Sequence, residues 1–407
     1  MSIFPLPLTA LEQMFWLDRR RPLDIWLEAS FRQKLDHQRV QQSLVCLASR
    51  HPLLLARPQR RAQQWLWEPA AEAIPLVLVG QQQAWSPLPL DPELIRVYLV
   101  EKASGCSLYF HIHHAVCDGT GSRQLLSDFG LAYANPSNAL TPLDPARLAR
   151  RGRIPAAPPQ APASWHKSLR DVLGFLFPWP QVLAGAGEQA RLRPFSKRII
   201  EAGPVLERAR AAGAGLTELA SSDLFACLAR WQRQHGVQRG RLRLLIPMDL
   251  RELDDRRLPA CNRITFAFLQ RSLHQCGPDL SRELSSEREY IKTYRTDLDF
   301  LRGLQLVAGS RLLPWLLRAP LPMCSAILTN MGEVSPLRGF DWEEGGLRVG
   351  DVLCDHVSGA TALRPGTRAA FSLCRFGGRL AVGLRSSLAE QAEGELLDSF
   401  THRLVHG

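Results

Sequence analysis

The sequence predicts an α/β protein of two domains, and three observations carry that reading. Strand-like and helix-like segments alternate in both halves of the chain, the pattern that layers helices on sheets. The length, 407 residues, exceeds what a single hydrophobic core organises and fits two units of roughly 150 to 200 residues. Between the halves the composition shifts, with Pro155, Pro158, Pro159, Pro162, Pro178 and Pro180 interrupting any regular element. The expected organisation is a first domain over residues 1–154, a crossover linker over 155–194 and a second domain over 195–407.

The elements follow in chain order. Thr9 is followed three residues later by Glu12, the spacing of a capping box, so a short amphipathic helix begins there. Residues from Ile25 to Arg32 read as extended. Asp36 opens a second helix, with Val40, Leu44, Leu47 and Ala48 on one face, which stops before His51-Pro52. The segments Ile95 to Val100 and Ser107 to His113 are rich in β-branched and aromatic residues, and Ala103-Ser104-Gly105 joins them as a hairpin. Gly119 to Ser122 then break the strand and offer a helix cap, and Leu125, Leu126, Phe129 and Tyr133 continue at helical spacing. In the second half, strands are expected near residues 195–200 and 242–247, and helices over 216–235 and 281–301. A hairpin joins residues 369–375 to 379–385 through Phe376-Gly377-Gly378. No repeat of fixed period is visible.

Hydrophobic residues make up 45% and charged residues 22%, a globular profile that excludes a disordered chain. The net charge of +11 raises the question of nucleic acid, but only five of the 50 basic residues are lysine (Lys34, Lys102, Lys167, Lys197, Lys292). Arginine is spread along the whole chain and no zinc-finger, RNP or basic-zipper pattern accompanies it, so no nucleic-acid partner is expected. A positive surface instead suits an anionic donor such as coenzyme A or an acidic carrier protein. Nine cysteines stand singly, without paired spacing, and read as reduced thiols. The opening Met1 to Pro7 lacks a basic-then-apolar leader and no run approaches the roughly 20 apolar residues of a membrane span. A cytoplasmic location without a span is expected.

The chemistry concentrates in His113-His114-Ala115-Val116-Cys117-Asp118-Gly119. At this composition the pattern H-H-x-x-x-D-G arises by chance on the order of once in a thousand chains of this length. Adjacent histidines on a strand point to opposite faces, so only one faces a given cleft. One serves as a base with a pKa near neutrality, while the other and the aspartate hold the local geometry.

This run resembles the HHxxxDG motif of the condensation-domain and coenzyme A-dependent acyltransferase superfamily. Further segments resemble that superfamily in the same order: Leu8-Thr9-Ala10-Leu11-Glu12-Gln13, Arg50-His51-Pro52-Leu53-Leu54, Ile246 to Arg251 followed by Asn262, and Leu328-Thr329-Asn330-Met331-Gly332. The resemblance implies two chloramphenicol-acetyltransferase-like α/β sandwich domains arranged as a V around a central channel. It implies an acyltransferase without a permanently bound cofactor or metal. The donor would be acyl-CoA or a phosphopantetheine-linked acyl carrier, and the acceptor a small alcohol or amine. His114 would be the general base, His113 a structural neighbour, and Asp118 a structural carboxylate paired with Arg251. Gly119 would keep the loop compact for the backbone's approach, and Asn262, Thr329 and Asn330 would line the channel or the oxyanion side. Two departures stand out: Cys261 occupies the position of the family's glycine before Asn262, and Arg375-Phe376-Gly377-Gly378 stands where the plant branch has DFGWG. The analogues implied are bacterial stand-alone condensation-like proteins, for which a monomer suffices.

Two rival readings differ in class. One is a catalytically silent condensation-like binding protein, since fold alone does not fix chemistry. The other is a metal hydrolase, because His111 and His113 lie two apart on one strand face and need only a third ligand to hold zinc. Cys117 sits at a variable position of the motif and is not read as a nucleophile.

Overall fold

Backbone hydrogen bonding in the computed structural model, which describes residues 3–18, 23–80, 85–135, 142–156, 179–185, 194–277, 279–318, 322–334, 341–343, 345–364 and 366–407, organises the chain into two mixed α/β lobes. The first half contributes β1 (Leu6–Pro7), α1 (Ala10–Leu17), β2 (Asp24–Phe31), α2 (His37–Arg50), β3 (Ala56–Arg61), β4 (Gln64–Pro69), β5 (Leu76–Val79), β6 (Ile95–Glu101), β7 (Cys106–His113) and α3 (Gly119–Ala134). The second half begins with β8 (Ser196–Glu201), α4 (Ala202–Ala211), α5 (Leu216–Gln234), β9 (Arg241–Asp249), β10 (Ile264–Ser272), α6 (Ser281–Tyr294), α7 (Leu298–Val307) and α8 (Leu312–Arg318). It closes with β11 (Ala326–Glu333), β12 (Trp342–Glu343), β13 (Gly346–Val349), β14 (Val352–Ala360), β15 (Ala369–Phe376), β16 (Arg379–Ser386) and α9 (Glu390–His406).

One lobe is built on a seven-stranded sheet of order β12-β13-β14-β2-β7-β6-β5, the other on a six-stranded sheet of order β10-β9-β11-β15-β16-β8. The small sheet β1-β4-β3 joins the first lobe. Residues 342–360 return from the second half to complete the first sheet, where β14 runs antiparallel to β2 with Ala360 opposite Trp26. A boundary at residue 195 therefore follows the chain but not the sheets. The crossover expected over 155–194 lies outside the described residues apart from 155–156, 179–185 and 194.

Alternation along β2 and β7 sorts their side chains. Ile25, Leu27, Ala29 and Phe31, with Leu108, Phe110 and Ile112, enter the core beneath α2 and α3. Asp24, Trp26, Glu28 and Ser30 share the opposite face with Ser107, Tyr109, His111 and His113, the partners given by the strand register. A second core gathers α4, α5, α6 and α9 against the six-stranded sheet.

Local capping follows the sequence at α1, where Glu12 N–H donates to Thr9 Oγ1 (3.2 Å) and Thr9 N–H to Glu12 Oε2 (2.9 Å). Asp36 caps α2 through Arg39 N–H at 2.7 Å. Two expectations need correction. The helix expected over 281–301 is broken in two, because Arg295 takes a left-handed φ of 52° and the buried Asp297 carbonyl accepts from Thr265 Oγ1 (2.6 Å). The cap of α3 is Asp118, not a residue within Gly119–Ser122. No helix among the described residues is long and apolar enough to cross a membrane.

Candidate active site

β7 ends at His113, and the chain turns at once. His114 lies in the turn and not on the strand, although its N–H still donates to Leu23 O at 2.6 Å. His113 Nδ1 accepts from Ala115 N–H (3.2 Å) and its ring stands edge-on to Trp16, centroids 5.6 Å apart. The His114 ring stacks on Phe15 of α1, centroids 4.1 Å apart and 25° between planes. His114 keeps 7% of its accessible surface. Its Nδ1 is enclosed without a hydrogen bond of good geometry, as is Asn262 Oδ1. Burial, the largest influence, holds the imidazole below its ordinary 6.5, against the opposing pull of its own carbonyl, the Asp118 carboxylate and Asn262. The group is therefore a neutral imidazole at pH 7.

The turn after His114 is fixed from the second half of the chain. Asn262 Nδ2 donates to the carbonyls of His114 and Ala115, both at 2.8 Å. Asp118 is fully enclosed and its carboxylate accepts three times: from Gly121 N–H (2.8 Å) as the α3 cap, from Arg251 Nη1 (2.9 Å) and from Arg263 N–H (2.7 Å). Arg251 Nη2 also donates to Cys261 O (2.9 Å) and Nη1 to Asp249 Oδ1 (3.1 Å). Burial disfavours the charge on Arg251, but Asp118 outweighs it and the guanidinium is held above its ordinary pKa. Thr120 Oγ1 reaches Asp249 Oδ2 at 2.8 Å and adds a further tie across the lobes.

His114, Asn262, Asp118 and Arg251 are thus gathered at one place, drawn from both halves of the sequence. The compactness expected of Gly119 belongs to another residue: a Cβ at Gly119 meets nothing within 4 Å, whereas at Gly121 it would sit 2.9 Å from Cys117 Cβ and 3.2 Å from Cys261 O. Asn330, next to Thr329 on β11, forms its hydrogen bonds with other residues. Asn330 Nδ2 donates to Thr217 Oγ1 of α5 (3.0 Å), and its Oδ1 accepts from Gly332 N–H (2.9 Å), so the side chain closes a turn at the end of its own strand. Cys117 is fully buried, and burial with the nearby Asp118 charge pushes its thiol well above the ordinary range. Phe15, not singled out from the sequence, stacks on the His114 ring; its only signal is membership of the apolar run Met14-Phe15-Trp16 after the capping box.

His111 belongs to a different arrangement. Its ring stacks on Trp26 (centroids 3.8 Å) and its Nε2 meets Asp24 Oδ2, while Arg385 of β16 lies 2.8 Å from Asp24 Oδ1. Burial pushes Asp24 up, but Arg385 and His111 outweigh it and hold the carboxyl far below the usual range. Among the described residues no group of three or more His, Cys, Asp or Glu side chains is positioned to hold a metal ion. The asparagine that clamps the turn also borders a cavity of about 30 Å³ with Leu11, Leu250, Ile264 and Leu301, space for a water and not for a substrate.

The two-lobed arrangement is that of the condensation-domain fold. Over 98% of both chains the protein is similar to polyketide synthase associated protein 5 from Mycobacterium tuberculosis, with 17% identity and a TM-score of 0.63. The first condensation domain of the calcium-dependent antibiotic synthetase matches all of this chain and 96% of its own, at 17% identity and a TM-score of 0.65. The starter condensation domain of rhizomide synthetase, solved in complex with C8-CoA and Leu-SNAC, matches over 98% and 94% at 14% identity and a TM-score of 0.65. An epimerization domain of tyrocidine synthetase and a cyclization-docking bidomain share the fold as well, so it hosts several chemistries. No protein-family model matches the sequence, and no curated relative aligns with it.

Proposed function

We propose that the chain is an acyltransferase that moves an acyl group from a thioester, on coenzyme A or a carrier protein, to a hydroxyl or amine. His114 acts as general base. The observation that supports this most is an enclosed imidazole stacked on Phe15, with its backbone clamped by Asn262 from the other half of the chain. In the reaction, His114 takes the proton of the acceptor O–H or N–H as that atom attacks the thioester carbonyl. The tetrahedral intermediate then expels the thiolate, which recovers the proton from the imidazolium. Proton transfer of this kind contributes roughly 10²–10⁴-fold in rate.

Asp118 and Arg251 act by fixing the loop, and neither touches substrate in this reading. One chain supplies every residue invoked, so no partner subunit is required.

The test offers purified protein a panel of acyl-CoA thioesters of graded chain length with alcohols and amines, and identifies products by mass spectrometry. An ester or amide formed by the native protein and lost in a folded His114→Ala variant is the expected result. A product formed equally by His114→Ala, or none with any acceptor, would overturn the assignment.

A further inference from the structure

The helices α7 and α8 form a surface unlike the rest of the molecule. Leu306, Leu312, Trp315 and Leu316 are 86%, 46%, 64% and 42% exposed. They account for four of the ten large apolar side chains most exposed among the described residues, all within one short segment. Their neighbours explain why the segment stays attached: Leu298, Leu301 and Leu304 of α7 and Leu313 and Leu317 of α8 are buried against the first core. α8, Leu-Leu-Pro-Trp-Leu-Leu-Arg, is therefore apolar on its outward face as well as its inward one. A helix apolar all round belongs in a protein core or in lipid, and this one lies at the surface.

Charge selects the occupant. From residue 298 to 318 the acidic residue is Asp299, which pairs with Arg302 at 2.8 Å, while Arg311 and Arg318 are exposed beside the apolar residues. Leucines and a tryptophan rimmed by arginine match the boundary between acyl chains and anionic headgroups. A second copy of the chain fits less well. With side-chain areas of about 200 Å² each, the four residues expose roughly 500 Å², below the roughly 800 Å² per partner of a standard stable interface.

We propose that the α7–α8 surface docks on an anionic lipid bilayer. The inference does not depend on the acyl-transfer reading, though the two converge on one helix. Gly309 N–H, in the α7–α8 turn, donates to Gln13 Oε1 of α1 (2.9 Å), and Phe15 of that helix stacks on His114. A protein docked this way holds α1 close to the lipid surface.

The experiment is flotation of the full chain with phosphatidylcholine vesicles and with vesicles that also contain phosphatidylglycerol. Binding to the anionic vesicles is expected to exceed that to phosphatidylcholine alone by at least about tenfold and to weaken with salt. Leu306→Ser with Trp315→Ser, and separately Arg311→Glu, should each lower it by about tenfold or more with melting temperature unchanged. The proposal is overturned if the native protein ignores anionic vesicles or if both variants bind as it does. It is equally overturned if the native protein is a dimer that Leu306→Ser with Trp315→Ser makes monomeric, since the occupant is then a second copy.

Discussion

Removing the Asp118 carboxylate tests whether the motif aspartate holds the fold or takes part in chemistry. Asp118→Ala deletes the α3 cap, about 1 kcal/mol by itself, and strips Arg251 of its principal anion. Breaking a buried ion pair from one side costs about 3–5 kcal/mol. The Arg251 side chain is 14% exposed and Asp118 wholly enclosed, so water replaces the lost partner poorly. Arg251 does retain Cys261 O and Asp249, which puts the expected loss near the lower end, about 3 kcal/mol. Asp118→Asn keeps a capping oxygen and should cost less. Combined with Arg251→Met, it should cost less than the two single losses together, because the cation left stranded by the first change is gone. Urea unfolding followed by tryptophan fluorescence and far-UV circular dichroism measures each step. If Asp118→Ala unfolds within about 0.5 kcal/mol of the native protein yet has no transferase activity, the carboxylate works on substrate and the structural assignment is wrong.

The pH dependence has a definite sign. Burial lowers the pKa of His114, so the folded protein keeps the ring neutral at pH values where the unfolded chain, near 6.5, begins to bind the proton. Stability from this group is present above 6.5 and declines as pH falls from there toward the lower folded value, and the buried His51 and His111 and the half-buried His356 add in the same direction. The acid limb of kcat/KM should fall below 6.5, and a limb centred at 7 or above would show that His114 is not the base. Thiol chemistry gives a simpler check. Eight of the nine free cysteines are buried and Cys46 alone is partly exposed, so a thiol reagent should modify one cysteine in the native protein and nine after denaturation; rapid reaction of Cys117 would contradict the burial described.

What the sequence disclosed was what short-range chemistry controls. The capping box at Thr9 and Glu12, the Asp36 cap and the hairpin of β6 and β7 each rest on residues a few positions apart, and all were legible. Condensation-domain architecture was legible too, from a handful of segments in the right order. Three features were not, because each is decided by distant parts of the chain. A break at Arg295 depends on Thr265 reaching the Asp297 carbonyl from β10. The steric demand on Gly121 in place of Gly119 comes from Cys117 and from the Cys261 backbone, about a third of the sequence away. Stacking of Phe15 on His114 joins two residues whose local patterns say only that one helix is apolar on that side.

Return of residues 342–360 to the first sheet is the largest of these non-local decisions, and it explains the polar face of β2 and β7. A strand buried on both faces ordinarily reads as continuously apolar, yet β2 alternates with Asp24, Trp26, Glu28 and Ser30 and is buried along its whole length. The two carboxylates, Asp24 and Glu28, are tolerable there because the second half of the chain supplies partners to both. Arg385 of β16 pairs with Asp24; Lys197 of β8 meets Glu28, which also accepts from Ser358 Oγ of β14 (2.9 Å) and Tyr109 OH (2.9 Å). His356 of β14 in turn lies 2.9 Å from Lys197. Without β14, β2 would present an unpaired edge and the enclosed Glu28 carboxylate would lose the Ser358 hydroxyl. The strand that β2 supports is β7, which delivers His113 and the turn carrying His114. A site at the end of β7 therefore requires both halves of the chain to be folded together, through the same contacts that make an alternating strand stable in the interior of a sheet.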